Sequence, residues 1–407
     1  MKRIVAIDNL RGFALLGILI MNIMSFGMPS IAYFNPAAFG GDDWVNRMTY
    51  AFVHIFADQK FMALFSMLFG ASLMLLIKNL ERKGTKVARF HYTRNFWLLI
   101  IGFLHGILIW DGDILTIYAL CAFLLYFLRN VAPKWQFALG LIIFLLPAIG
   151  YIVGGTVVSE MPMAQVASLQ AYWQPSMGEI SAEIALYQGD YLPQLLARLI
   201  SNTPSGSALD IYFVVFIFEF FTRAFGMMLI GMALYSWGVV TAQQSDYFYK
   251  RLLIIGLLVG VPLAGVGVWW NSSADWSAVQ VMFMGRLPNL LATPLVAGAY
   301  IGLIMLWSRS SLWRNLQNRL AATGRMALTN YIMHSLIGTF IFYGFGLGLF
   351  GSLNRVMLLP IIVAIWLFQL WLSPFWLHYF RFGPLEWMWR SLSYWELQPL
   401  RHSVKTA

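Results

Sequence analysis

Apolar residues gather along this chain in ten long stretches, at positions 4–26, 62–80, 96–109, 115–128, 135–153, 211–239, 252–270, 287–307, 327–350 and 356–379, each bounded by charge, proline or glycine. A bilayer core about 30 Å thick takes about 20 helical residues. The pattern therefore predicts an all-α polytopic membrane protein with about ten transmembrane helices. The third and fourth stretches are short and read as a tight hairpin whose polar turn, 110–113, dips below the surface. The boundaries divide the chain into helices one to five (1–153), an extracytoplasmic segment (154–209), helices six to ten (210–380) and a tail (381–407). Within the extracytoplasmic segment, 180–200 looks helical, with Ile184, Leu186, Leu192, Leu195, Leu196 and Leu199 on one sticky face. It reads either as a cap on the outer surface or as a loosely ordered loop. The tail, rich in Trp and Arg over 380–400, reads as an interfacial helix.

Composition agrees with the pattern and removes the alternatives. Of 407 residues, 60% are apolar and 11% charged, which excludes a soluble globular chain and a disordered one. Cys121 is the single cysteine, so there is no disulfide scaffold. The net charge of +10 suits nucleic acid at first sight, but 20 of the 27 basic residues fall in one alternating set of loops. That set runs from Lys2 and Arg3 through Lys78–Arg94, Arg129 and Lys134, Lys250 and Arg251, and Arg309–Arg325 to Lys405. The other set carries Asp42, Asp43, Asp111, Asp113, Glu160, Glu179, Glu183, Asp190, Asp210 and Asp275. The charge thus encodes orientation, with both termini cytoplasmic and the lipid bilayer rather than nucleic acid as the partner. Lys2 and Arg3 ahead of an apolar run imitate a signal peptide, yet Asp8 and Arg11 interrupt it, so the first helix reads as uncleaved.

A charge in hydrocarbon costs several kcal/mol unless it is paired or wet, so every intramembrane polar residue is a functional candidate, with structural pairing as its rival. Asp8 and Arg11 share a face at the inner end of the first helix, and Asn22 lies fourteen residues further, about 21 Å along the axis. Lys60 opens the second helix near the outer surface, where snorkelling is the plainer account. His105, in an apolar helix followed by Trp110 and the turn Asp111-Gly112-Asp113, suits a general base whose ring Asp113 could orient. Glu219 and Arg223 are spaced for an intrahelical pair. Arg286 could meet an anionic group, and Asn330, Tyr331 and His334 fall together on the ninth helix. An outer level (Asn22, Lys60, His105, Asp113, Arg286) and an inner level (Asp8, Arg11, Asn330, His334) result. No HExxH, GxSxG, Walker or Cys/His zinc spacing occurs, so no metal is expected. The run GFGLGLFG at 344–351 reads as close helix packing rather than a phosphate loop.

Several segments resemble the YeiB family of bacterial inner-membrane proteins: IDNLRGFALLGILIMN at the start, KFMALFSMLFG, RNFWLLIIGFLHGILIWDGDIL, GRMALTNYIMHSLIGTFIFYGFGLGLFG and FRFGPLEWMWRSLSY. The likeness covers nearly the whole chain. The first helix is also remotely similar to that of heparan-glucosaminide acetyltransferase, which implies a superfamily shared with acyltransferase-3 proteins and a glucan succinyltransferase. That likeness maps an Asp-x-x-Arg-Gly start and a catalytic Asn onto Asp8, Arg11, Gly12 and Asn22. The relative's catalytic His falls at Tyr33 here, and His105 is the replacement by depth and partners.

The function expected is acyl transfer from a cytoplasmic acyl-CoA, such as acetyl-CoA, to a hydroxyl or amine of a small-molecule, glycan or lipid acceptor at the periplasmic side. His105, Asp113 and Asn22 are the catalytic candidates. Asp8, Arg11, Lys60, Trp110, Glu219, Arg223, Arg286, Asn330, Tyr331 and His334 are the substrate-binding ones. The alternatives are a transporter or flippase for a small metabolite, lipid or sugar derivative, weakened by the lack of an evident inverted repeat, and a non-catalytic membrane partner or sensor. Oligomeric state is not legible in the sequence.

Overall fold

A computed structural model describes residues 4–41, 43–200 and 208–402. Lys2, Arg3, Asp42 and Lys405 of the charge pattern and positions 201–207 of the extracytoplasmic segment lie outside those residues. The described chain is helical, with no sheet. Its first part comprises α1 (Val5–Gly27), α2 (Trp44–Phe56), α3 (Lys60–Arg82), α4 (Val87–Leu108), α5 (Leu115–Leu125), α6 (Pro133–Leu145) and α7 (Pro147–Ser159). Three amphipathic or mixed helices follow, α8 (Met163–Trp173), α9 (Met177–Gln188) and α10 (Tyr191–Ile200). The second part holds α11 (Ala208–Ser236), α12 (Asp246–Ile255), α13 (Val261–Ser273), α14 (Ala278–Met282), α15 (Leu287–Arg309), α16 (Arg314–Arg325), α17 (Ala327–Phe342), α18 (Arg355–Tyr379) and α19 (Pro384–Tyr394).

Seven of the described helical stretches are long and apolar enough to cross a bilayer: Val5–Gly27, Trp44–Arg82, Pro133–Ser159, Asp210–Ser236, Asp246–Ser273, Met284–Arg309 and Arg355–Tyr379. Leu115–Leu128 and Ala327–Phe342 are shorter apolar helices. The ten apolar stretches of the sequence therefore resolve into seven spans and two shorter helices, while the third lies inside α4, whose first half carries Arg89, His91, Arg94 and Asn95. Two further expectations change. The helix expected over 327–350 ends at Phe342, and the glycines beyond it form a turn, of which Gly344 comes to backbone contact with Gln188 of α9. There Gly348 and Gly351 take left-handed φ of 67° and 71°, and the Gly344 N–H donates to the Tyr187 carbonyl of α9. The helix expected over 180–200 is broken at Gly189 and Asp190 into α9 and α10. The sticky face survives on α10, where Leu192, Leu196 and Leu199 are exposed.

Backbone contact through glycine sets the core. A Cβ on Gly231 of α11 would sit 1.9 Å from the Met67 carbonyl oxygen of α3, and one on Gly70 of α3 would sit 1.9 Å from that of Met228. On its other side α11 meets α6 in the same reciprocal way, Gly226 against the Gly140 carbonyl at 2.6 Å and Gly140 against that of Gly226 at 2.7 Å. Where lipid gives helices no hydrophobic reason to associate, such close approach lets dispersion and backbone dipoles hold them. α1 and α16 cross the same way, through Gly12 beneath Leu320 and Gly324 beneath Asp8.

These crossings give a graded expectation. Gly231→Val should separate α11 from α3 and sharply lower the detergent-solubilised melting temperature or abolish a monodisperse peak. Gly265→Ala in α13, where the nearest neighbour of an added Cβ is Ile55 at 3.9 Å, should be neutral or stabilising by up to about 1 kcal/mol. Equal tolerance of both would show that the crossings do not govern stability.

Candidate functional site

A cavity of about 460 Å³ lies at the end of α1 remote from Asp8, walled by that helix, the 3-10 turn Ser30–Tyr33, the α2–α3 corner, the α4–α5 turn, α9, α11 and the start of α15. Asn22 and Tyr33 line one side of it, and Trp110, Asp111, Asp113 and Tyr331 another. Its most polar wall is built where α2 ends. His54 Nδ1 lies 3.2 Å from Asp58 Oδ2, while its Nε2 has no partner among the described residues. The same Asp58 oxygen accepts from Asn289 Nδ2 at 2.8 Å, and Asn289 Oδ1 accepts from Lys60 Nζ, which also donates to the His54 carbonyl at 2.7 Å. Between the carboxylate and the ammonium stands Gln59 with a φ of 66°, a left-handed residue that turns the chain sharply into α3. Strained backbone of this kind persists where the surroundings over-determine it.

A second polar cluster adjoins the first. Glu219 of α11 accepts from Arg223 Nη1 at 2.6 Å, one turn away, and both its oxygens accept from Arg286 Nη2 at 2.8 and 3.1 Å. All three residues line the cavity. Arg286 further approaches the Tyr151 hydroxyl at 3.4 Å. The intrahelical Glu219–Arg223 pair read from the spacing is present, and Arg286 joins it from the start of α15.

The histidine singled out by the sequence sits differently. His105 Nδ1 is 2.8 Å from Asp113 Oδ1, the partner expected of it, but Nε2 is 2.9 Å from Ser335 Oγ. Both ring nitrogens are thus engaged, and the buried ring stands behind the wall that Asp113, Trp110 and Tyr331 present. Asp113 also accepts from the Thr116 N–H at 2.8 Å, and the Tyr331 hydroxyl accepts from the Ile114 N–H at 3.2 Å. Lys60, wholly buried, is likewise behind the surface.

Of the remaining candidates, Asp8 and Arg11 pair with each other at 3.1 Å at the opposite end of α1, where Arg11 also donates to Ser72 at 2.9 Å. Asn330 donates to Ser373 Oγ at 3.0 Å, and His334 Nε2 meets Gln369 Oε1 at 2.8 Å, in a buried α17–α18 network separate from the cavity. The structure therefore brings Asn22, Asp113, Trp110, Glu219, Arg223, Arg286 and Tyr331 to one cavity and leaves Asp8, Arg11, Asn330 and His334 outside it. His54, Asp58, Gln59 and Asn289 are among the wall residues that the sequence reading did not select. The spacing of His54 and Asp58, one helical turn apart, was the available signal.

Outside the spans, burial pushes the Asp111 and Glu183 carboxyls above their ordinary values, and for Glu183 the nearby Asp111 adds to the rise. Burial, and then the Asp58 charge, hold the Tyr33 phenol well above its usual value, so it stays a hydrogen-bond donor and not a phenolate. Among the described residues no group of three His, Cys, Asp or Glu side chains is placed to hold a metal ion.

Removing the carboxylate at the centre of the second cluster should be costly. Glu219→Gln leaves two buried guanidiniums side by side without a counter-charge, and breaking a buried ion pair costs about 3–5 kcal/mol. Thermal unfolding in detergent should show a large fall for Glu219→Gln and a smaller one for Glu219→Asp. Wild-type stability of Glu219→Gln would mean that the three side chains are not coupled.

Comparison with known proteins places the chain. The family described as "Protein of unknown function (DUF418)" matches residues 234–396. The chain is 34% identical over 400 residues, 97% of each chain, to "Uncharacterized protein YeiB" of Escherichia coli (strain K12). It is 29% identical over 429 residues, 99% of this chain and 97% of the relative, to "Uncharacterized protein YxaH" of Bacillus subtilis (strain 168). No solved structure matches. With such coverage end to end, and with its apolar helices, this multi-pass protein of the bacterial inner membrane belongs to the YeiB family.

Proposed function

We propose that the protein is a membrane-embedded acyltransferase whose reaction centre is the cavity at the far end of α1. The observation that carries this reading is the pairing, on one cavity wall, of an imidazole held by a carboxylate with its second nitrogen unpartnered. That is the arrangement of a general base: Asp58 fixes the ring, and Asn289 fixes Asp58 in turn. In this reading His54 Nε2 takes the proton of an acceptor hydroxyl or amine as its oxygen or nitrogen attacks the thioester carbonyl of an acyl-CoA. The imidazolium then returns the proton to the departing thiolate. Asn22 orients the acceptor or donates to the developing oxyanion, with Tyr33 as a further donor. His105 acts through Asp113, and Trp110 and Tyr331 shape the same wall.

In this reading the positive loops favour cytoplasmic termini, which puts the cavity toward the periplasmic side, beneath α9, which contributes Glu183 and Tyr187 to the wall. On that orientation the acyl-CoA approaches from the end where Asp8 and Arg11 lie, and Arg94, stacked over Trp389, stands ready for its phosphates. Remote similarity of the first helix to heparan-glucosaminide acetyltransferase supports the same reaction class, since its catalytic Asn maps to Asn22, which lines this cavity. Transport of a small metabolite or lipid is the competing reading, because a binding cavity at one end serves a carrier equally.

Purified protein mixed with acetyl-CoA and longer acyl-CoAs, with glycerol, glucose and glucosamine as acceptors, should show thermal stabilisation and release of free thiol. His54→Ala should lower the release by about 10²- to 10⁴-fold with the acyl-CoA shift retained. Asn22→Ala should lower it as well, and His105→Ala less than His54→Ala. Full transfer by His54→Ala would remove it as the base. No shift and no thiol release with any acyl-CoA, in folded protein that takes up a solute unchanged into proteoliposomes, would decide for transport.

A further inference from the structure

The second polar cluster carries more positive charge than its own partners neutralise. Two guanidiniums, Arg223 and Arg286, face one carboxylate, Glu219, while the neighbouring Lys60 is balanced by Asp58 through the Asn289 amide that bridges them. One positive charge remains in this part of the cavity wall. Arg223 is the group that shows it: its side chain is 2% exposed, it spends Nη1 on Glu219, and Nε and Nη2 have no partner among the described residues. The ring of Phe144, with its centroid 5.6 Å from the guanidinium carbon, is the other contact. A ring face offsets part of a buried cation's desolvation but satisfies no N–H. The surplus cannot leave by deprotonation, because a guanidinium stays charged in proteins.

We propose that this part of the cavity binds a singly charged oxyanion, a carboxylate or a phosphodiester, carried on an apolar chain. The charge count selects a monoanion over the dianion of a phosphomonoester, and the two orphaned N–H groups are spaced as the fork that takes two oxygens of one such group. The apolar part follows from the rest of the wall, which Phe34, Phe216, Ile217, Phe220 and Val281 also line, the Phe216 ring centroid 5.9 Å from the Arg286 guanidinium carbon. Asp111, Asp113 and Glu183 line the cavity elsewhere and favour placing the anionic group at the arginines alone. The inference stands apart from the proposed reaction, since a carrier would hold such a ligand by the same contacts.

The test uses full-length protein in dodecyl maltoside and three ligands: octanoate, its neutral isostere octanamide, and dioctanoylphosphatidylglycerol. Calorimetric titration should show octanoate, the phosphatidylglycerol or both binding at least tenfold more tightly than octanamide, and which of them does so identifies the carboxylate or the lipid phosphodiester. Arg223→Gln should abolish the preference while keeping the fold, because Glu219 retains Arg286 and the net charge falls to zero. Arg223→Lys should keep part of it, having the charge without the fork. Binding of octanamide as tight as that of octanoate, or no binding of either anion to the wild type, would overturn the proposal without recourse to any variant. So would an Arg223→Gln protein that binds the anion as the wild type does. None of these readouts depends on acyl-CoA, so failure here and failure of the acyltransferase reading are separately visible.

Discussion

A charge placed inside an apolar bundle has to find its opposite, and in this protein that requirement is met at Glu219. Its carboxylate takes one guanidinium from its own helix and one from the start of α15, and Gln59 at the head of α3 approaches it at 3.5 Å. Three helices from distant parts of the sequence are thereby tied at one level. The glycine crossings on α11 do the complementary work below it, since Gly226 and Gly231 let α6 and α3 come to backbone contact from either side. Held close at the glycines and spread by long polar side chains above them, the helices enclose a cavity at one end.

Two histidine–carboxylate pairs stand near that cavity, and the difference between them is one of unspent hydrogen bonds. His105 has given both nitrogens to the protein, so what it does is hold Asp113 in place from behind. His54 has given one. A base needs an unspent lone pair, and that condition, more than depth in the membrane or the company of a carboxylate, separates the two. The proposed chemistry thus follows from accounting for each polar atom in the wall, as the proposed anion site does for Arg223.

Much of the fold was legible because lipid imposes a coarse rule: apolar runs of span length become helices, and the boundaries of α1, α15 and α18 fall within a few residues of where hydropathy puts them. The rule fails where local chemistry overrides it. Gly344 to Gly351 are apolar in company yet end α17, because left-handed glycines and a bond to the Tyr187 carbonyl offer the backbone another way to be satisfied. For the site, intrahelical spacing revealed Glu219 with Arg223 and the loop revealed His105 with Asp113. It could not reveal that Arg286 joins the first pair, 67 residues on, or that Asn289 ties Asp58 to Lys60. Asn330 and Tyr331 show the limit of face arguments: adjacent on one helix and read as one group, they point to a buried network and to the cavity respectively.

The proposed chemistry needs a ligand-sized cavity reached from the face of the membrane opposite the chain termini. The direct measurement is labelling of Asn22→Cys in a Cys121→Ala background, Cys121 being the single native cysteine and buried. A membrane-impermeant maleimide added to spheroplasts is expected to modify it, more slowly than the exposed control Ser352→Cys but to completion. Modification only in inside-out vesicles, or none on either side while Ser352→Cys reacts from outside, would contradict the account.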